Sequence, residues 1–271
     1  MRQIIPLLNQ ILNLVLISYG LNTGGVNAMS FYAVFKMHWR HMLSRKEYLF
    51  VVTALAVILT GSFVESCLTV RGLFTSALNS AAVGWSMHLD QQANGINTGR
   101  VLIFLLFGVL AALIYGDSLF RDKQENVLCI AAARGKKNVY LLSGALTAFL
   151  GAFVTFFLFF ALGQLLALVV FPLRSSFFGY LAEASWADGV QRPLSPLFPG
   201  LFYQHPYLNN LVFMGYASCW AGILSLITYT ASFFLRNRLV LLGLPQLFLI
   251  LESFIGVLAP NIQLGILYYL Y

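Results

Sequence analysis

The chain has 271 residues, 59% of them hydrophobic and only 9% charged, with a mean hydropathy of +0.81. A soluble domain carries about a quarter charged residues, so this composition excludes a water-solvated globule and points to a bilayer. The net charge of +7 is accounted for by topology, as shown below, and calls for no nucleic acid.

Residues 1–28 include "IIPLLNQILNLVLISYG", which is apolar but carries Asn9, Gln10 and Asn13. It lacks the basic start and small-residue cleavage site of a signal peptide. We read translation as starting at Met29, with 1–28 a doubtful extension; the alternative is a further membrane-associated helix. The remainder, 29–271, reads as a single membrane domain. Phe31, Val34, Phe35, His38, Trp39 and Met42 recur at helical steps, while Lys36, Arg40, Arg45 and Lys46 fall mostly elsewhere on the wheel. The pattern predicts an elbow helix in the membrane surface, with Lys36, Trp39 and Arg40 at the interface; the alternative is a plain polar flank of the first span.

Crossing a hydrocarbon core takes roughly 20 helical residues. Runs of that kind fall at 48–68, 101–120, 139–171, 211–235 and 239–259. The third has no charge or proline and would measure about 50 Å as one helix, so it is expected to tilt, protrude or break, with Gly163-Gln164 its weakest point. Lipid leaves an open sheet's backbone unpaired, and no strand-like alternation suggests a barrel. The fold class is therefore an all-α integral membrane bundle of five spans. Small-residue faces for close packing are offered by Gly108 and Gly116, Gly144 and Gly151, and Gly215 and Gly222.

Lys and Arg set the orientation. Lys36, Arg40, Arg45, Lys46, Arg121, Lys123, Arg134, Lys136, Lys137, Arg236 and Arg238 lie before the first span, between the second and third, or between the fourth and fifth. The alternate connections, though longer, hold only Arg71, Arg100, Arg174 and Arg192. The N-terminus is expected in the cytoplasm of a bacterial cell, with the multi-pass chain in its cytoplasmic membrane and an outer loop at 174–210. That loop contains Pro193, Pro196, Pro199 and Pro206, which preclude a long helix after Gln191, and "FFGYLAEASWADG" reads as a short helix at the outer interface.

Catalytic equipment is missing. His38, His41, His88 and His205 all fall outside the expected spans, and there is no HExxH, GxSxG or GxxxxGK[ST]. Cys67, Cys129 and Cys219 stand singly, without metal-ligand spacing. Glu65 reaches the outer interface. Glu252, mid-way along the last run, costs about 2.5–3.5 kcal/mol if ionised in lipid, and so is expected in the bundle interior or along a pathway. An intramembrane enzyme would have to depend on it.

The densest charge lies at Asp117–Lys137, "DSLFRDKQENVLCIAAARGKK", with five basic and three acidic residues. The run from Tyr115 to Phe149 resembles the ABC-2-type transporter permeases, in which the second span ends in an acidic cytoplasmic motif followed by a coupling helix and a basic turn. Asp117, Asp122, Lys123 and Glu125 match the acidic motif, and Arg134, Lys136 and Lys137 the basic turn, with Tyr140 entering the membrane. "YQHPYLNNLVFMGY" and "SFFLRNRLVLLGLPQLF" are similar to the family's outer Pro-Tyr start of span four and its inner basic turn, Arg236 to Arg238, followed by Pro245. The resemblance covers about residues 29–260. It implies a coupling loop at 120–138, centred on Leu128, that docks on a separate ABC ATPase subunit. It also implies a second permease copy, as homodimer or heterodimer, and no cofactor on this chain, with ATP and Mg held by the ATPase. The chain would then be an exporter subunit rather than an enzyme, moving a peptide such as a bacteriocin or antibiotic, a drug or a lipid-like molecule. The family norm is six spans, so five leave the C-terminus outside, and either the frame is truncated or the bundle closes differently. Gly135 within the basic turn, and "SGAL" where a lysine is common, depart from the pattern. The competing reading is a non-transporting immunity, sensor or scaffold protein.

Overall fold

The computed structural model describes residues 28–70, 81–82, 98–128, 137–173, 201 and 205–258. Residues 1–27, most of the outer loop, Cys129, Arg134 and Lys136 lie outside the described residues. The described chain is helical, without a strand among the described residues. In order it comprises α1 (Ala28–Ser44), α2 (Lys46–Val70), α3 (Thr98–Ala111) running into a π-helical turn (Ala112–Gly116), α4 (Ser118–Gln124), α5 (Lys137–Val170), α6 (Pro206–Ala231) and α7 (Arg238–Leu258).

Three of these, α2, α5 and α6, are long and apolar enough to cross a membrane, and a fourth span follows if Val101–Gly116 and Ser118–Gln124 count as one bent unit. The bundle turns apolar side chains outward, among them Phe50 and Val57 on α2, Leu165 and Val169 on α5, and Leu251 and Phe254 on α7. Water would not tolerate so large an apolar surface on a monomer, and a hydrocarbon solvent would. The chain is consistent with a multi-pass membrane protein.

Local chemistry sets the helix ends. Pro206 occupies the first turn of α6, where its missing N–H costs nothing and its fixed φ is already helical. Asn126 has φ 57° and closes α4, because a short polar side chain tolerates the left-handed conformation that stops a helix. Lys123 donates to the carbonyls of Ser232 (3.0 Å) and Phe233 (2.9 Å); a cation there satisfies carbonyls left over at the end of α6.

Close packing follows the glycines. A Cβ on Gly222 would meet Phe149, one on Gly144 the Tyr229 hydroxyl and one on Gly151 the Met42 sulfur, so α5 is pressed against both α6 and α1. Gly116 faces Thr228 and Ser225, and Gly108 lies against the backbone of Pro245 and Gln246. Of the small-residue positions read from the sequence, only Gly215 has open space above it.

The runs read from the sequence differ in detail from the helices. Of the three alternatives for the third run, a break at Gly163-Gln164 is not the one taken: α5 is continuous over 34 residues, and both positions are buried. The Gln164 amide is satisfied across helices, donating to Ala81 O (2.9 Å) and accepting from Asn210 Nδ2 (2.7 Å), so it has no need of a helix break. The second run does not continue straight to Phe120, because the chain bends by 47° after Gly116. The fourth helix runs over Pro206–Ala231 rather than 211–235. The expected fifth run is realised as the helix Arg238–Leu258.

α2, α3, α5, α6 and α7 alternate in direction. The first residues of α2, α5 and α7 therefore share one end of the bundle with the last residues of α3 and α6, as the contacts Arg45–Asp117–Arg238, Tyr140–Asp122 and Lys123–Ser232 require. The opposite end is closed by the Ala81–Ala82 turn, where Asn210 donates to Ala82 O (2.9 Å) and the Ala81 N–H to Pro172 O (2.8 Å).

Candidate functional site: an ionic cluster at the root of a bent helix

The π turn at Ala112–Gly116 buries Ile114, Tyr115 and Gly116. It delivers Asp117 to the bend with φ −87° and ψ 0° and with its side chain fully enclosed. A single buried π turn inserted in an α-helix commonly marks a functional position. A carboxylate without water must be paired, and three arginines supply the pairing. Arg45 Nη2 donates to Asp117 Oδ1 (2.6 Å), Arg238 donates through Nη2 (2.7 Å) and Nε (3.1 Å) to Oδ2, and Arg121 Nε lies 3.6 Å away. Glu47 forms the second acidic centre, accepting from Arg121 and from Arg238 Nη2 (3.4 Å), with Arg45 Nε at 3.7 Å. The cluster ties the α1–α2 junction, the α3–α4 bend and the start of α7 to one another.

A second polar layer lies beside it. His38 Nδ1 is 2.7 Å from the Tyr115 hydroxyl, the Arg45 guanidinium lies 5.5 Å from the centre of the Tyr115 ring, and the His38 and Tyr140 rings meet edge-on at 4.5 Å. Tyr140 donates to Asp122 Oδ2 (2.8 Å). Burial, followed by the nearby charge of His41, lowers the His38 pKa to about 4, so the ring is neutral at physiological pH. Burial raises the Asp122 pKa, opposed by the Tyr140 hydrogen bond.

The residues singled out for coupling separate into two groups. Asp117, fully enclosed, has no surface to offer a partner, and Asp122 and Lys123 are engaged inside the bundle with Tyr140 and the end of α6. Glu125 and Lys137 are exposed, Leu128 is half-buried against the core, and Arg134 and Lys136 lie outside the described residues. On α1, Lys36 and Arg40 are exposed, whereas Trp39 packs half-buried on the core with Phe35 5.8 Å away. Phe31, His38 and Met42 turn the apolar face of α1 toward the bundle, chiefly α5. Glu252 is half-buried on α7. Among the described residues no group of His, Cys, Asp and Glu could hold a metal ion.

Sequence reasoning did not single out Arg45, Glu47, Arg121 and Arg238 as partners. Arg45, Arg121 and Arg238 counted there as flanking or turn charges and Glu47 was passed over, since the pairs that join the helices lie 72 to 191 residues apart and carry no local signal of contact. Arg121, four residues after Asp117, pairs with it locally. The one available hint was Asp117 itself, an acid at the end of an apolar run that needed a cation from elsewhere. No family model, curated protein or solved structure matches the chain.

Proposed function

We propose that the chain is the membrane-spanning permease subunit of an ATP-driven exporter of the ABC-2 type, working with a separate ATPase and a second permease copy. In this reading α7 is a fifth span and α1 the interfacial elbow. The clustered end of the bundle faces the cytoplasm, in keeping with the Lys and Arg distribution, and the bacterial cytoplasmic membrane is its location. The observation that supports the reading is α4. A short helix turns 47° away from the span before it and ends in exposed Gln124, Glu125 and Asn126, while its root is held by Arg121 in the cluster and by Lys123 on α6. A projecting tip on a root bonded to three other helices can pass a push from a soluble motor into the bundle. The substrate would be a peptide, drug or lipid-like molecule.

Glu125→Lys and Leu128→Pro test the reading in a tagged chain purified from its own host in mild detergent. The wild type is expected to retain a stoichiometric protein bearing GxxxxGK[ST] that hydrolyses ATP. Both variants are expected to lose it while still inserting in the membrane. Undiminished ATPase retention in both would remove the coupling role from α4, and purification of the wild type without any ATPase would favour the non-transporting reading.

A further inference from the structure

The ionic cluster is unbalanced. Within salt-bridge distance it holds three guanidiniums, Arg45, Arg121 and Arg238, against two carboxylates, Glu47 and Asp117. Asp122 is turned to Tyr140, and Glu125, exposed and one helical turn on from Arg121, acts on that guanidinium through its charge without forming a salt bridge. Three guanidiniums present about fifteen N–H donors, while two carboxylates accept about eight. Arg45 has a side chain only 4% exposed, and its Nη1 has no hydrogen-bond partner. Leaving such a donor buried and unpaired is costly. Arg121 and Arg238, by contrast, are 31% and 38% exposed and form a mouth over the buried part. Phe50 and Leu239, close in sequence to Glu47 and Arg238, are exposed apolar side chains at the same end of the bundle.

From this arrangement we propose that the cluster is a binding site for a phosphate group, seated on Arg121 and Arg238 with the Arg45 guanidinium behind them. The planar forks of arginine match phosphate oxygens in pairs, and one added anion supplies acceptors for the N–H donors that the two carboxylates leave over. The phosphate is either the headgroup of an anionic lipid, its acyl chains running along Phe50 and Leu239, or part of a soluble phosphorylated compound. The inference does not depend on the export reading.

The test uses the full purified chain in detergent, with thermal unfolding followed during titration by phosphatidylglycerol, by phosphatidylcholine and by inorganic phosphate. Saturable stabilisation by phosphatidylglycerol or by inorganic phosphate is expected, with phosphatidylcholine ineffective. Phosphatidylglycerol acting alone assigns a lipid headgroup; inorganic phosphate acting equally well assigns a soluble ligand. Removing one charge-assisted contact in Arg121→Gln should weaken the apparent affinity about tenfold. Glu47→Gln, which frees donors and adds net positive charge, should tighten it. A purely structural cluster would give loss in both variants, and that result overturns the proposal, as does stabilisation by phosphatidylcholine equal to that by phosphatidylglycerol, or by none of the three. If Arg121→Gln does not fold, Glu47→Gln decides alone: tighter binding supports the site, and unchanged or weaker binding overturns it.

Discussion

Asp117 illustrates how one side chain can set the energy of a helix junction. Its side chain is shut off from solvent, and its two oxygens take hydrogen bonds from Arg45 and Arg238. Asp117→Asn keeps the shape and removes the charge, stranding cations that are expensive to bury alone, so a loss of about 3–5 kcal/mol is expected, read as a lower melting temperature in detergent. His38 provides the pH dependence. The unfolded chain takes up a proton at this residue near pH 6.5, the folded chain only near pH 4. The stability it contributes is therefore complete above about pH 6.5 and is lost as pH falls toward 4. Melting measured across that window should fall with pH in the wild type, and the slope should flatten in His38→Phe.

At the scale of elements, the contact between α3 and α7 rests on Gly108. Its N–H donates to Gln246 Oε1 (2.9 Å) while Gln246 Nε2 donates to Phe104 O (3.1 Å), so one side-chain amide bridges two backbone groups that are i and i+4 partners in α3. A Cβ on Gly108 would approach the backbone at Pro245 and Gln246 to 2.7–2.9 Å. Backbone cannot step aside as a flexible side chain can, and Gly108→Ala is expected to cost about 1–3 kcal/mol. Gly215→Ala, with nothing within 4 Å, should instead be neutral or stabilising by up to about 1 kcal/mol; melting curves of the two variants side by side check the contrast. The tip of α4 gives a further case. Asn126→Gly should be tolerated, whereas Asn126→Val, placing a β-branched residue at φ 57°, should cost about 1–2 kcal/mol and reduce protection of the α4 amides from hydrogen exchange.

For the whole molecule, the proposed orientation predicts an asymmetry of access. In intact cells a membrane-impermeant maleimide should label Leu208→Cys, and should reach Asn126→Cys only after the membrane is opened; both positions are exposed. The helical architecture could be read from the chain because apolar runs near 20 residues have one backbone solution in lipid. The tight glycine faces could be read in part, since Gly222 and Gly144 sit among large side chains that need room. The bend at Asp117 had a partial signal in "YGDS", a glycine followed by N-cap residue types, whereas the π turn in "ALIYG" had none. The ionic cluster was hidden for another reason: Arg45, Glu47 and Arg238 look like ordinary flanking charges until three-dimensional packing brings them onto one carboxylate.

That assembly also has an order in time. Arg45 and Glu47 leave the ribosome before Asp117, and Arg121 follows it by one helical turn, whereas Arg238 comes 121 residues later. At typical synthesis rates the delay is roughly 6 to 24 s. During it, the new carboxylate already has two cations at hand, so the half-made bundle need not leave an acid unpaired while the rest is built. The bonds from Arg238 can close only once the last helix has begun, and the cluster thereby serves as a latch that nascent chains lacking that helix cannot fasten.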